Sequence, residues 1–325
     1  MPCYNPMNVR YYDDCGKKRL FWSREDCILF YERDGLPEGD NVLQLPCSGC
    51  LGCRLERARQ WAVRCMHEAS LYEDNCFVTL TFNPEAYAKY CPTGSLDRRH
   101  VQLFLKRLRR RFFDRKIRVF YCGEYGKKNG RAHYHLFLFN FDFPDKIYEK
   151  TVNGNHYYKS SVLDEIWSDP ESGKNIGMSI IGELTYASAG YVARYNLKKV
   201  NGKGKDEAYQ RIDAVTGEVI QLYPEFCQSS LKPGIGKPWF DKYGMTDIFP
   251  LDEVVVEGTK NRPPRYYDKL LEKVNPELFL DIKQRRIDKF KMLNCDDRLW
   301  RRLKVRLRKK EIEIGKLVRD LESGS

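Results

Sequence analysis

The chain has 325 residues, enough for one large domain or one domain with substantial appendages. Its apolar fraction of 42% supports a buried core and excludes wholesale disorder. A net charge of +12, with 21 Tyr and 17 Phe, points to a polyanionic partner whose bases can be stacked upon.

The opening text MPCYNPMNVR lacks the apolar core of a signal peptide, and no run approaches the roughly 18–20 apolar residues that span a bilayer. The expectation is therefore a cytoplasmic protein without a membrane partner. Its twelve Cys then bind metal or stay buried rather than form disulfides. Residues 1–46 mix Tyr, Asp and Arg without clear periodicity. A helix is predicted from Cys53 to about Tyr72, in text free of Gly and Pro. Cys76 to Phe82 (CFVTLTF) reads as a buried strand ended by Asn83-Pro84. From about Asp97 to Arg115, Val101, Phe104, Leu105, Leu108 and Phe112 make one apolar stripe of a helix. Its other faces carry Arg98, Arg99, Lys106, Arg107, Arg109, Arg110 and Arg111, either a solvated surface or one that contacts phosphates.

IRVFYCGEY (117–125) and AHYHLFLFN (132–140) read as two strands of an antiparallel hairpin joined by GKKNGR. Helical text returns at SVLDEIW, followed by a strand at NIGMSII (175–181) and a helix from about Leu184 to Lys199. NGKGKDE is a loop, and residues 220–265, rich in Pro and Gly, read as an irregular packed extension. From Pro276 onward the text is helical, and Lys283–Lys310 holds 13 Lys/Arg against 3 Asp. That tail is either a DNA-gripping arm or a solvated helix. No phosphate-binding G-x-x-x-x-G-K-[ST] loop occurs, so ATP-driven unwinding would need another protein.

His133 and His135 lie two apart in a strand and so project from one face, a ready chelate for a divalent cation. If the hairpin is symmetric about its turn, Glu124 falls opposite His133 with its carboxylate on the same face. Such a mixed N/O set suits Mg²⁺ or Mn²⁺, with Zn²⁺ a competitor. Tyr191 and Tyr195, spaced i and i+4, share one helix face with Lys198 nearby and Lys199 adjacent. A phenol with a reference pKa of about 10 needs a neighbouring cation to become a nucleophile. The bland alternatives are a polar decoration of the strand and two packed aromatic rings. Cys47-x-x-Cys50-x-x-Cys53 can share one tetrahedral Zn²⁺ or an iron–sulfur cluster if a fourth ligand joins. Cys3 is the preferred candidate and Cys65 the alternative, and free thiols are the remaining reading. His67, His100 and His156 lack comparable company and read as structural or surface residues.

These motifs in this order resemble the HUH endonucleases, and more closely the replication initiators of gokushovirus-type microviruses. The matching text is FVTLTF at 77–82, GEYG at 123–126, HYHLFLF at 133–139 and YVARYNLKK at 191–199, supported by CSGCLGCRLERARQWAVRC at 47–65 and PGIGKPWF at 233–240. The resemblance covers about residues 45–200 and extends more weakly to about 270. It implies an α+β fold with a central antiparallel sheet and packed helices, of the RRM/ferredoxin-like HUH type. It also implies Glu124, His133 and His135 as metal ligands, and Tyr191 and Tyr195 as nucleophiles that nick origin DNA through a 5′-phosphotyrosine and rejoin it.

The domain layout expected is a Cys-rich segment (1–60), a nuclease domain (61–200), an irregular extension (201–275) and a basic helical tail (276–325). Candidate DNA contacts are Thr79, Thr81, Arg107, Arg110, Arg131 and Arg194. Partners expected are origin DNA and the host's helicase and polymerase, in the cytoplasm of a bacterial host. A related transposase or plasmid relaxase, a two-His, one-Glu zinc hydrolase and a non-enzymatic zinc- and DNA-binding protein are the competing readings.

Overall fold

The computed structural model describes residues 3–11, 18–21, 43–126, 129–152, 154–195, 205–212, 216–292 and 300–315. The chain divides into two compact units, Met1–Arg57 with Lys291–Leu317, and Ala58–Phe290 with Val318–Ser325. In the first, β1 (Met7–Tyr11), β2 (Lys18–Phe21) and β3 (Leu43–Leu45) form a small antiparallel sheet in the order β2-β1-β3. The same unit holds α10 (Trp300–Gly315), whose basic residues are largely exposed and partly tied at i,i+3 spacing, as in Lys310–Glu313 at 2.9 Å.

The second unit is built on seven strands. They are β4 (Asn75–Leu80), β5 (Arg118–Tyr125), β6 (Ala132–Phe139), β7 (Ile147–Val152), β8 (Asn155–Lys159), β9 (Ser179–Gly182) and β12 (Phe226–Ser229). Their order is β12-β5-β6-β4-β9-β8-β7, with every neighbouring pair antiparallel. Helices cover both faces at its centre, which is why β6 is apolar at successive positions instead of alternating. On one face Val78, Leu80, Leu136 and Leu138 meet α3 (Arg98–Arg111) through Val101, Phe104, Leu105 and Leu108, the stripe expected from the sequence. On the other face Phe77, Phe120, Phe137 and Phe139 meet α1 (Leu51–Ala69) through Ala62, Cys65 and Ala69, and α5 (Tyr186–Tyr195) through Ala189 and Val192.

Helix starts follow local capping chemistry. Asn83 caps α2 (Pro84–Tyr90), Asp97 caps α3 and Ser160 caps α4 (Ser161–Ile166), each accepting a hydrogen bond from an amide of the first turn. Loop text hides short elements: α6 (Lys205–Ala208) follows NGKG, and β10 (Gln210–Ile212) pairs with β11 (Val219–Gln221).

The extension after residue 230 packs more regularly than its Pro and Gly content suggests. It holds α7 (Lys237–Tyr243), a π-helical turn (Gly244–Ile248), the hairpin of β13 (Val254–Val256) and β14 (Thr259–Asn261), α8 (Arg265–Val274) and α9 (Pro276–Lys291). Trp239, Phe240, Phe249, Tyr267, Leu271 and Ile282 form a third core against Val63 of α1, so that helix is packed from two sides. In the tail, Arg286 is consumed structurally: its guanidinium bonds Asp252 (2.7 Å from Nε) and Asp268 (3.0 Å). Among the described residues no helix is long and apolar enough to cross a membrane.

A buried ion pair joins the extension to the sheet. Arg118 of β5 donates to Glu68 of α1 and to the Pro233 carbonyl (2.9 Å), while the Gly236 amide donates to the other Glu68 oxygen (2.7 Å). Gly236 has φ +80°, and a Cβ there would lie 2.6 Å from the Tyr267 hydroxyl, so the position demands glycine twice over. Removing one partner of such a pair leaves an uncompensated buried charge. Glu68→Gln is therefore expected to destabilise the chain by about 3–5 kcal/mol. An unchanged urea midpoint would show that this network is not a principal tie.

Candidate active site

The pairing of β5 with β6 places Glu124 opposite His133 and Cys122 opposite His135, the register symmetric about GKKNGR. Alternation along each strand then puts Glu124, His133 and His135 on one face of the sheet, the face that α1 and α5 cover. Glu124 is fully buried and His135 nearly so, while the His133 side chain retains 16% exposure as the opening to the site. Nε2 of His133 lies 2.7 Å, and Nε2 of His135 3.1 Å, from the same Glu124 oxygen.

Both rings are oriented from behind. Nδ1 of His133 donates to the Arg131 carbonyl at 3.1 Å. Nδ1 of His135 lies 2.9 Å from the hydroxyl of Thr79, its cross-strand neighbour on β4, and its ring stacks on Phe77. A carbonyl only accepts, so His133 carries a proton on Nδ1, and in the neutral ring the Nε2 lone pair faces the carboxylate. Lone pairs meeting at these distances require a positive charge among them. Ligands about 2.1 Å from an octahedral cation stand about 3 Å from their neighbours. The 2.7 and 3.1 Å separations fit that spacing, and all three ligand atoms lie within 4.8 Å of one another. The donor set therefore fits a divalent cation.

The two-tyrosine helix arrives on this face for local reasons. Thr185 and Ser188 cap each other's amides, Thr185 N–H to Ser188 Oγ at 2.8 Å and Ser188 N–H to Thr185 Oγ1 at 3.1 Å. The Tyr186 amide donates to Glu257 at 3.0 Å, an acidic partner at the positive end of α5. Ala189 and Val192 are buried with Phe77, Phe120, Cys122 and Phe137, so α5 lies on the sheet face that carries the imidazole pair. Tyr191 and Tyr195 belong to this helix one turn apart. Their side chains and that of Arg194, and Lys198 and Lys199 entirely, fall outside the described residues.

The remaining sequence candidates scatter. Thr79 reaches His135 and acts as its orienting partner, while Thr81 donates to the Met178 carbonyl at 3.0 Å. Arg131 donates to the Phe82 carbonyl at 3.1 Å, with its guanidinium over the Tyr87 ring. Arg107 and Arg110 sit on α3, which packs against the opposite sheet face, and Arg107 donates to the Ser168 carbonyl at 2.6 Å. His67 is buried against Trp239 and bonded to the Tyr267 hydroxyl (2.9 Å), and His100 meets the Tyr134 hydroxyl (2.7 Å). His156 is exposed and bonded to Thr151 at 2.7 Å. Cys3, Cys47, Cys50 and Cys53 gather with their sulfurs within 4.8 Å of one another, whereas Cys65 is buried among the phenylalanines of the sheet. The orienting roles of Thr79 and the Arg131 carbonyl were not anticipated. The first depends on β4 pairing with β6, a contact 56 residues apart that local pattern does not encode.

Residues 75–200 match the family model described as replication-associated protein ORF2/G2P. The chain is 31% identical over 245 residues to replication-associated protein VP4 of Bdellovibrio phage phiMH2K, covering 73% of this chain and 70% of that protein. It is 32% identical over 304 residues to replication-associated protein ORF2 of Spiroplasma virus 4, covering 88% and 86% respectively. Replication-associated protein ORF4 of Chlamydia phage 1 is 28% identical over 242 residues, 72% of this chain and 55% of that protein. No solved structure matches it significantly.

The orienting bond has a measurable consequence. Thr79→Val is expected to weaken Mn²⁺ binding by about 10- to 100-fold, the usual effect of losing a partner behind a ligating imidazole. Thr79→Ser keeps the hydroxyl and should bind as the parent does. Equal affinity in all three, measured by titration of free Mn²⁺, would deny Thr79 this role.

Proposed function

The chain belongs to the replication-associated proteins of gokushovirus-type phages, and we propose that it initiates rolling-circle replication by nicking and rejoining origin DNA with a tyrosine. What supports this reading is the convergence of Glu124, His133 and His135 on the sheet face that the two-tyrosine helix covers.

In this proposal Glu124, His133 and His135 hold one divalent cation, Mg²⁺ or Mn²⁺. When bound there, the ion polarises a phosphate oxygen and makes the phosphorus more electrophilic. The fixed Nδ1 partners of the two imidazoles keep their Nε2 atoms aimed at the ion, so no reorganisation is needed when DNA arrives. The phenol oxygen of Tyr191 or Tyr195 attacks the scissile phosphorus and loses its proton to solvent, with Lys198 and Lys199 stabilising the phenolate. The bond to the 3′ oxygen breaks, leaving a 3′-OH that primes synthesis and a 5′-phosphotyrosine that retains the energy of the phosphodiester. The second tyrosine cleaves the regenerated junction, and the freed 3′-OH attacks the first phosphotyrosine to close a circle without ATP. Two phenols are needed because one is occupied when the other must act.

The proposed partners are origin DNA, single-stranded or melted, and the helicase and polymerase of the bacterial host in which the reaction runs. Exposed basic residues of α10, among them Arg301, Arg306 and Lys309, offer sequence-independent grip on phosphates.

Incubation with an origin-bearing single strand and Mn²⁺ should yield a protein–DNA adduct that survives denaturing electrophoresis. Tyr191→Phe with Tyr195→Phe should reduce the adduct by about 10³-fold or more, the scale of losing a nucleophile. His133→Ala with His135→Ala should remove it under the same conditions. Cleavage that persists in the double Phe variant without any adduct would replace this mechanism with hydrolysis by water.

A further inference from the structure

Four thiols outside the proposed nuclease site remain unexplained by it. Cys3 precedes β1, Cys47 and Cys50 follow β3, and Cys53 lies in the first turn of α1. All four are free cysteines, and their sulfurs are separated by 3.7 Å (Cys3–Cys47), 3.8 Å (Cys3–Cys50) and 4.0 Å (Cys47–Cys53). A disulfide requires about 2.0 Å. Four thiolates at about 2.3 Å from a tetrahedral zinc stand about 3.8 Å apart along each edge. The three separations fit edges of that tetrahedron, and all four sulfurs lie within 4.8 Å of one another.

A second, independent feature is the set of backbone amides aimed at the sulfurs. Cys47 N–H donates to Cys3 Sγ (3.3 Å), Cys50 N–H to Cys47 Sγ (3.2 Å) and Tyr4 N–H to Cys50 Sγ (3.3 Å). A neutral thiol is a weak acceptor, so three such bonds are arranged for thiolates. The turn between Cys47 and Cys50 bends back through Ser48, which takes the left-handed φ of +60°. Arg57 donates to the Ser48 carbonyl at 3.2 Å, and the positive end of α1 begins at Leu51, so the surroundings favour a net-negative centre.

We propose that Cys3, Cys47, Cys50 and Cys53 bind one structural Zn²⁺, closing the end of the β2-β1-β3 sheet onto the start of α1. Four sulfur–zinc bonds form and the thiol protons still present pass to solvent, with no change of oxidation state. The site is closed, with four protein ligands, so it supplies stability rather than catalysis. The sheet it fastens has strands of only five, four and three residues, too small to stand without such a tie. The clasp also shuts a loop between positions 44 apart, which restricts the unfolded chain.

The test uses the full chain purified under reducing conditions without added metal. Elemental analysis should find about one zinc per chain, retained in His133→Ala with His135→Ala and lost in Cys50→Ser with Cys53→Ser. Because the Cys variants can fail to fold, cobalt(II) is also exchanged into the unmutated chain. Thiolate-to-cobalt charge-transfer absorption with the intense bands of a tetrahedral ion is the expected spectrum. Zinc that follows the histidines instead of the cysteines, a cobalt spectrum without thiolate charge transfer, or iron with labile sulfide would each overturn the assignment. The first outcome leaves the nuclease reading standing, so the two proposals fail separately.

Discussion

The register of one hairpin governs everything the candidate active site can do. Glu124 meets His133 because β5 and β6 pair symmetrically about their turn, closed by Gly126 N–H to the Arg131 carbonyl at 2.9 Å. A slip of one residue would carry the carboxylate to the opposite face and leave two imidazoles without an acid. The slip is resisted because both faces of these strands are buried. It would exchange Phe120, which stacks on Phe137 beneath α1 and α5, with a neighbour such as Tyr121, which packs toward α3. The aromatic core thus specifies the site's geometry as well as the fold's stability.

The same packing carries the two-tyrosine helix onto this face of the sheet. Between the second strand of the hairpin and α5 lie residues 140–185, which build the β7–β8–β9 side of the sheet. The chain then returns across the sheet face through Ala189 and Val192, residues small enough for close approach. On the other side of α1, the C-terminal extension adds a third core and is tied to β5 by the Glu68–Arg118 pair. The strand that bears Glu124 is therefore held by its hairpin partner, by β12 and by that pair through Arg118. Such redundancy suits a site in which a displacement of about 1 Å is costly.

Much of this was legible because it is local. The apolar stripe of α3, the hairpin and its register, and the i,i+4 tyrosines are all encoded within about twenty residues. The cysteine cluster was legible from spacing, and Cys3 rather than Cys65 proved to be its neighbour because Cys65 faces the sheet core. What escaped was non-local or aperiodic. β1 and β3 are too short to show alternation, and their pairing joins residues as far apart as Met7 and Leu45. The Pro- and Gly-rich text after residue 230 read as packed but irregular and so concealed its helices and hairpin, since its glycines mark close approaches within a packed core. The basic residues of α3 and the tail read as one kind of surface, yet Arg107, Arg109 and Arg286 are spent on carbonyls and carboxylates.

The central claim is spatial: a cation held by the imidazole pair lies beside the phenols of α5. Fluorotyrosine placed singly at position 191 or 195, with Mn²⁺ titrated into the folded chain, reports that distance through paramagnetic relaxation of the fluorine resonance. Strong broadening at both positions, abolished by His133→Ala with His135→Ala, is the result predicted. Sharp fluorine signals at saturating Mn²⁺ would place the metal and the phenols apart, and the account of a tyrosine nickase would not survive them.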